Sequence, residues 1–174
     1  RRDSDQKINQ NVYFAVLDSS GNLVVEPTNL THNDLWRGQD DFDVPVFIAP
    51  RIVASQDDRF ILAWGDERNH PQGSTADLFM TALGMSGNVL VPVDALTTSV
   101  AGETRYSTPS IVAFPGNLIL MAYVVQNPGD PDNPLDDLST TAYLVLDSNG
   151  SLIKNQVLIN GSSGSTPDST LLSN

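Results

Sequence analysis

The chain has no cysteine. That excludes disulfides, thiolate metal sites and cysteine nucleophiles, and it leaves the compartment open. Basic residues are scarce: 9 Lys and Arg stand against 21 Asp and Glu, for a formal net charge of -12. Binding to nucleic acid needs clustered cations against phosphate, so no nucleic-acid partner is expected. Anionic membrane surfaces are disfavoured for the same reason. No apolar run approaches the roughly 18 residues that cross a bilayer, so no membrane span is expected. His32 and His70 are the only histidines, and two His without a third ligand make a poor zinc site. No window shows a sustained helical period with caps at both ends. The first residues, Arg1 to Lys7, are polar, with neither an initiator Met nor a signal-peptide core. They read as the start of a mature segment or of a piece of something longer.

What the chain does have is internal repetition. Tyr13-Phe-Ala-Val-Leu-Asp-Ser-Ser-Gly-Asn-Leu23, Phe79-Met-Thr-Ala-Leu-Gly-Met-Ser-Gly-Asn-Val89 and Ala142-Tyr-Leu-Val-Leu-Asp-Ser-Asn-Gly-Ser-Leu152 share one plan. Each is an apolar run, a Gly-bearing turn and a second apolar run. The turn glycines Gly21, Gly87 and Gly150 stand 66 and 63 residues apart. Between the copies lie Pro50-Arg-Ile-Val-Ala54 and Pro109-Ser-Ile-Val-Ala113, and Thr166-Pro167 opens a third, degenerate copy. A period of this size built from short strands predicts a propeller or a related array. At 174 residues and 40% hydrophobic, the chain is long enough for one ordinary domain and is not disordered as a whole.

The segments are rich in Val, Ile, Leu, Phe and Tyr and are punctuated by Gly, Pro, Asn and Asp, which is strand grammar. The copies predict four strands per unit. Strand A covers 51–55 and 110–114, and strand B covers 59–64 and 118–124. Strand C covers 12–17, 78–83 and 142–146, and strand D covers 22–25, 88–91 and 151–159. Trp64 and Tyr123 stand 59 residues apart in matching B strands and are expected in equivalent buried places. The fold class is all-β: four-stranded antiparallel meander blades forming a partial β-propeller of about 2.5 blades. A polar lead, 1–11, precedes strands C and D of a partial blade, 12–27. A long loop, 28–49, leads to a full blade, 50–92. A loop, 93–108, leads to a second full blade, 109–159, and 160–174 is a Gly/Ser-rich tail that starts a further blade.

In a meander, alternate connections lie on opposite edges. The A-to-B and C-to-D links are tight, so the long D-to-A and B-to-C links all fall on one face. Loops of that length are functional or mobile, which marks a working surface. The candidate binding residues on it are Trp36, Arg37, Asp66, Glu67, Arg68 and His70. An exposed Trp stacks on a sugar or anchors a protein contact. Asp66, Glu67 and Arg68 follow one B strand, and the corresponding Gln126-Asn127-Pro128 carries no acid. Asp130, Asp132, Asp136 and Asp137 lie on a proline-stiffened loop whose hard oxygens suit calcium, the one cofactor the chain suggests. Asn33-Asp34 with Gln39-Asp-Asp-Phe-Asp43 is a second acidic loop. The Asp18-Ser-Ser-Gly and Asp147-Ser-Asn-Gly turns lack the further acids of a calcium loop and read as hairpin turns. No G-x-S-x-G occurs, and no acid, base and nucleophile set repeats or converges, so no catalytic residue is assigned. Asn29-Leu-Thr31, Asn149-Gly-Ser151 and Asn160-Gly-Ser162 fit the N-glycosylation pattern.

The order proline, Ile-Val-Ala, turn, Phe60-Ile-Leu-Ala-Trp64, loop, Leu78-Phe-x-x-Ala-Leu83, Ser-Gly-Asn, Val89-Leu-Val-Pro92 resembles repeats of large secreted or surface proteins of bacteria, over about residues 12 to 161. The Asp-Ser-x-Gly turns also have a distant similarity to the Asp-box of sialidase-like propellers, without its Trp and spacing. The first resemblance implies propeller-like blades in an extracellular or cell-surface region that is adhesive, binding or structural and carries no catalysis. The second implies the alternative, a fragment of a propeller glycoside hydrolase. Open blade edges imply partners: other copies of the chain or the rest of a longer one, with a glycan or protein on the long-loop face.

Overall fold

The computed structural model describes residues 11–32, 50–69, 76–99, 105–127 and 138–159. Every regular element in them is a strand. A two-stranded hairpin is made by β1 (Tyr13–Leu17) and β2 (Leu23–Asn29). A four-stranded sheet in chain order follows: β3 (Arg51–Ala54), β4 (Arg59–Asp66), β5 (Asp77–Gly84) and β6 (Val89–Ala95). A second has the same order: β7 (Arg105–Phe114), β8 (Leu118–Asn127), β9 (Leu138–Asp147) and β10 (Leu152–Ile159). All pairings are antiparallel. These are two full blades and the C and D strands of another, a partial β-propeller.

The repeat extends to the register. Tyr13 pairs with Asn29, Phe79 with Ala95 and Ala142 with Leu158. After a shared irregularity, Val16 pairs with Val25, Ala82 with Val91 and Val145 with Lys154. Each C–D pair therefore bends at the same place. The turns between them are set by chemistry. Gly21, Gly87 and Gly150 have φ of 84°, 77° and 80°, a region where a side chain is strained. The Asp18 carboxylate accepts the N–H groups of Ser20 and Asn22, and that of Asp147 accepts those of Asn149 and Ser151. Those oxygens serve the turn, as the hairpin reading expected. In the middle copy Gly84 replaces the Asp. A Cβ there would come within 2.5 Å of Asn88 Oδ1, so the Asn88 carboxamide fills the space instead.

Alternation of side chains then builds two cores. Leu62 and Trp64 of β4 join Phe79, Leu83 and Leu30, with Val12 and Phe14 of the hairpin side packed on them. Ile61 and Ala63, on the opposite face of β4, join Leu78 and Met80 against Ile119, Met121, Tyr123, Ala142, Leu144 and Leu146 of the next blade. Because β4 and β5 are sandwiched, they read as continuous apolar runs, and every residue of β5 is buried. Trp64 and Tyr123 are 1% and 0% exposed, and each faces the blade before its own. Val12 and Phe14 are packed inward, while Tyr13 and Leu17 are exposed.

Several strands are longer than expected. The D strands run through Pro27 and Pro92, because an outer strand has no neighbour to miss the proline N–H. Strand β7 begins at Arg105, before Pro109, and a register shift between Ser107 and Ser110 absorbs the proline. Strand β8 continues to Asn127. The residues standing where blade one has Asp66, Glu67 and Arg68 are thus Val125, Gln126 and Asn127, one earlier than expected.

Candidate functional site

The ends of β4, β5 and β7 that meet the long links bring together the polar groups of one face. The last residue of β4 is Asp66, and Glu67, Arg68 and Asn69 follow it. Asp77 opens β5 and Arg105 opens β7. The Tyr106 N–H donates to the Ala76 carbonyl at 3.0 Å, so the first strand of the second blade is clamped to the third strand of the first. This clamp places Arg105 against Glu67.

Each acid has a different occupation. Asp66 accepts from the Arg68 N–H at 2.9 Å, from Arg68 Nε at 3.0 Å and from Trp64 Nε1 at 3.3 Å. The Arg68 guanidinium also lies 4.6 Å from the centre of the Phe79 ring, and that ring stacks on Trp64. Asp66 and Arg68 therefore lock the loop to the core. Asp77 is 1% exposed and accepts from the Ser99 N–H at 2.6 Å and from Asn69 Nδ2 at 3.0 Å. It tethers the link after β6 to the start of β5. Glu67 is the acid whose charge faces across the blade junction: its Oε1 stands 3.6 Å from Arg105 Nη2, with both side chains largely buried. That distance is an ion pair longer than a hydrogen bond. Arg105 Nε is buried with no hydrogen-bond partner among the described residues.

Two tyrosines lie beneath. Tyr106 and Tyr123 meet edge to face with centres 6.0 Å apart. Burial, and then the negative charge of Asp77, push the Tyr106 hydroxyl above its ordinary value. Burial, and then Tyr106, push Tyr123 higher still. Both stay neutral near neutral pH.

Of the candidates, Asp66, Glu67 and Arg68 are thus on one face, with Glu67 turned to the junction and the other two engaged with each other. Trp36, Arg37 and His70 lie outside the described residues, as do Asp130, Asp132, Asp136 and Asp137. Among the described residues no three His, Asp or Glu are grouped to hold a metal ion, and no helix is long and apolar enough to cross a membrane. Arg105, Asp77, Asn69 and Tyr106 were missed. Asp77 could have been noticed as the one charged residue of a largely apolar strand; Arg105 follows no motif. The opposite face holds another network: Asp57 accepts from Ser148 Oγ at 2.7 Å and pairs with Arg59 at 2.9 Å, and Arg59 donates to Asn149 Oδ1 at 2.7 Å. It fastens the A–B turn of one blade to the C–D turn of the next. Asn29 is engaged as well, accepting from the N–H groups of Thr31 and His32, while Asn149 accepts from Arg59 on an exposed turn.

No family profile matches the chain, and no curated protein sequence matches it. Solved structures share its fold. The α-L-arabinanase of Penicillium chrysogenum, complexed with arabinobiose, is 15% identical with a TM-score of 0.50, over 70% of this chain and 33% of that one. A GH93 α-L-arabinofuranosidase of Fusarium graminearum, also with arabinobiose, is 19% identical with a TM-score of 0.49, over 68% of this chain and 32% of its own. The matched part spans about a third of these structures. The propeller architecture is thereby established; the secretory repeat pattern is not. The expectation of a non-catalytic, non-enzymatic module is corrected: the arabinanase that shares this fold is an enzyme, which favours the alternative reading. The physical reason for the error is plain. No acid, base and nucleophile set repeats or converges along the sequence, because a propeller face gathers single residues from different blades.

Proposed function

We propose that the chain is part of a β-propeller glycoside hydrolase whose working face is the long-link face. The observation that carries this reading is Glu67, a largely buried carboxylate held 3.6 Å from Arg105 at the junction of two blades. Glycosidic cleavage uses two carboxyl groups about 5–10 Å apart, one to protonate the leaving oxygen and one to attack or activate water. Glu67 supplies one, and its place opposite the Arg105 cation suits the nucleophile or base role. Asp66, Arg68 and Asp77 hold the frame. The second carboxyl group comes from another link, and the acid-rich stretches 33–43 and 130–137 join strand ends on this face. Trp36, Arg37 and His70 are further candidates for sugar contacts there.

The likeness to an arabinanase makes arabinan and α-L-arabinofuranosides the first substrates to try. The test is reducing-sugar release by the purified protein from a panel of polysaccharides with arabinan among them, together with nitrophenyl glycosides in the furanose and pyranose series. Turnover of at least one is expected. Failure on the whole panel, by protein that melts cooperatively, overturns the reading.

A further inference from the structure

We propose that Asp77 is a positioning residue for the Glu67–Arg105 pair: its one buried carboxylate fastens both links that carry the pair. This rests on the reading of Glu67 given above. The repeat shows what the fold itself needs at this corner. The Val12 N–H donates to the Thr31 hydroxyl at 3.0 Å, and the Leu78 N–H donates to the Thr97 hydroxyl at 2.9 Å. Thr31 and Thr97 each stand two residues beyond the matching positions Asn29 and Ala95, so this latch on the start of a C strand belongs to the scaffold. The residue before the latched one differs from copy to copy. It is Asn11 in the hairpin, Asp77 in blade one and, by register, Thr140 in blade two. Asn11 Oδ1 accepts the Thr31 hydroxyl at 2.8 Å. Neutral side chains therefore serve in two of the three places. The acid stands in the blade that bears Glu67, the pattern expected of a residue that serves the site and not the repeat.

Asp77 is 1% exposed, and taking a carboxylate out of water is costly unless its oxygens are used. Both are used here. Oδ1 accepts the Ser99 N–H at 2.6 Å, and Oδ2 accepts Asn69 Nδ2 at 3.0 Å. What these bonds hold is the pair. Asn69 lies two residues after Glu67, in the link that follows β4. Ser99 lies six residues before Arg105, in the link that precedes β7. Arg105 is held from its other side as well, because the Tyr106 N–H donates to the carbonyl of Ala76, next to Asp77. The start of β5 is thus the common anchor of the Glu67 link and the Arg105 strand. Charges 3.6 Å apart on two different blades need such an anchor. A displacement of about 1 Å at a reacting group can cost about a hundredfold in rate.

Steady-state kinetics on the substrate found for the parent protein test this in Asn69→Ala, Asp77→Asn and Asp77→Ala. Ser148→Ala, which removes a donor to Asp57 on the opposite face, is the control for lost stability. Asn69 is exposed, so its truncation leaves the core intact and frees the Glu67 link alone. Asn69→Ala is expected to lose at least about tenfold in kcat, with KM within about threefold of the parent and a melt close to it. Asp77→Asn keeps the shape and one acceptor oxygen, and Asn69 can turn its carboxamide to meet it, so it should lose less than Asp77→Ala. Ser148→Ala should melt lower than the parent and keep its kcat. If Asp77→Ala does not melt cooperatively, Asn69→Ala and Asp77→Asn carry the test. Asn69→Ala within about twofold of the parent in kcat, beside an inactive Glu67→Gln, overturns the proposal and leaves the reading of Glu67 standing. A kcat that falls as far in Ser148→Ala as in Asn69→Ala also overturns it, since activity then follows stability alone. A parent that turns over no substrate overturns both.

Discussion

Replacing Tyr123 with Phe should make the protein more stable, although it removes a polar group from a polar neighbourhood. Tyr123 and Trp64 hold equivalent places, yet their polar atoms fare differently. Trp64 Nε1 donates to Asp66, two residues along the same strand. The register gives the second blade Val125 at that position, and the buried Tyr123 hydroxyl has no hydrogen-bond partner among the described residues. A buried unsatisfied group costs about 1–3 kcal/mol. Removing one oxygen leaves a gap of roughly 10 Å³, worth about 0.2 kcal/mol at the cavity rate. The net gain is about 1 kcal/mol, or roughly 2–4 °C in melting temperature for a chain of this size. Trp64→Phe should do the reverse, because it shrinks a filled core and leaves Asp66 short of a donor. Thermal melts followed by circular dichroism in the same buffer compare the two. A Tyr123→Phe protein that melts 2 °C or more below the parent would refute the reasoning, since it would mean that the hydroxyl is satisfied.

Other outcomes follow from single contacts. Gly87→Ala should destabilise more than Gly21→Ala: both incur the left-handed cost of about 1–2 kcal/mol, but only Gly87 adds overlap with Val25 and Phe14. Equal urea midpoints would contradict that. Asp57 is opposed by burial, but the Ser55 and Ser148 hydroxyls and the Arg59 charge outweigh it and hold the carboxyl below 3.8. Its contribution is therefore fully present above pH 3.8 and lost as pH falls through the lower folded value. Asp57→Asn should reduce stability at neutral pH and shrink the loss seen below pH 3.8; an unchanged acid profile would contradict the network. If Asp130, Asp132, Asp136 and Asp137 hold calcium, EDTA lowers the melting temperature and calcium restores it. An unaltered melt, with no metal by elemental analysis, rules this out.

The blades were legible because a repeat aligns its own copies. Apolar alternation, the Gly21, Gly87 and Gly150 turns and the match of Trp64 to Tyr123 all report local chemistry that recurs. Strand ends were less legible. Pro27, Pro92 and Pro109 look like breakers in sequence, yet edge position and a register shift make them harmless. The site was legible only in part. Asp66, Glu67 and Arg68 stand together in the chain, but which of them is held by its neighbour and which faces the next blade depends on packing. Arg105 lies 38 residues from Glu67, and only the clamp of Tyr106 on Ala76 brings it there. The wrong inference of a non-catalytic module came from the same source: repetition reveals scaffold, while a site built from unlike residues of different blades leaves no periodic mark.

The most direct test of the functional account is a rate comparison on the best substrate among the polysaccharides and glycosides above, using the parent protein, Glu67→Gln and Arg105→Lys. Gln keeps the size of Glu67 but can neither carry charge nor transfer a proton. The account predicts that kcat falls at least about a thousandfold in Glu67→Gln, in the range lost with an essential acid, base or nucleophile. It predicts a smaller loss with an altered pH profile in Arg105→Lys, which keeps the charge but not the guanidinium geometry. Activity in Glu67→Gln within tenfold of the parent, with an unchanged melt, would contradict it.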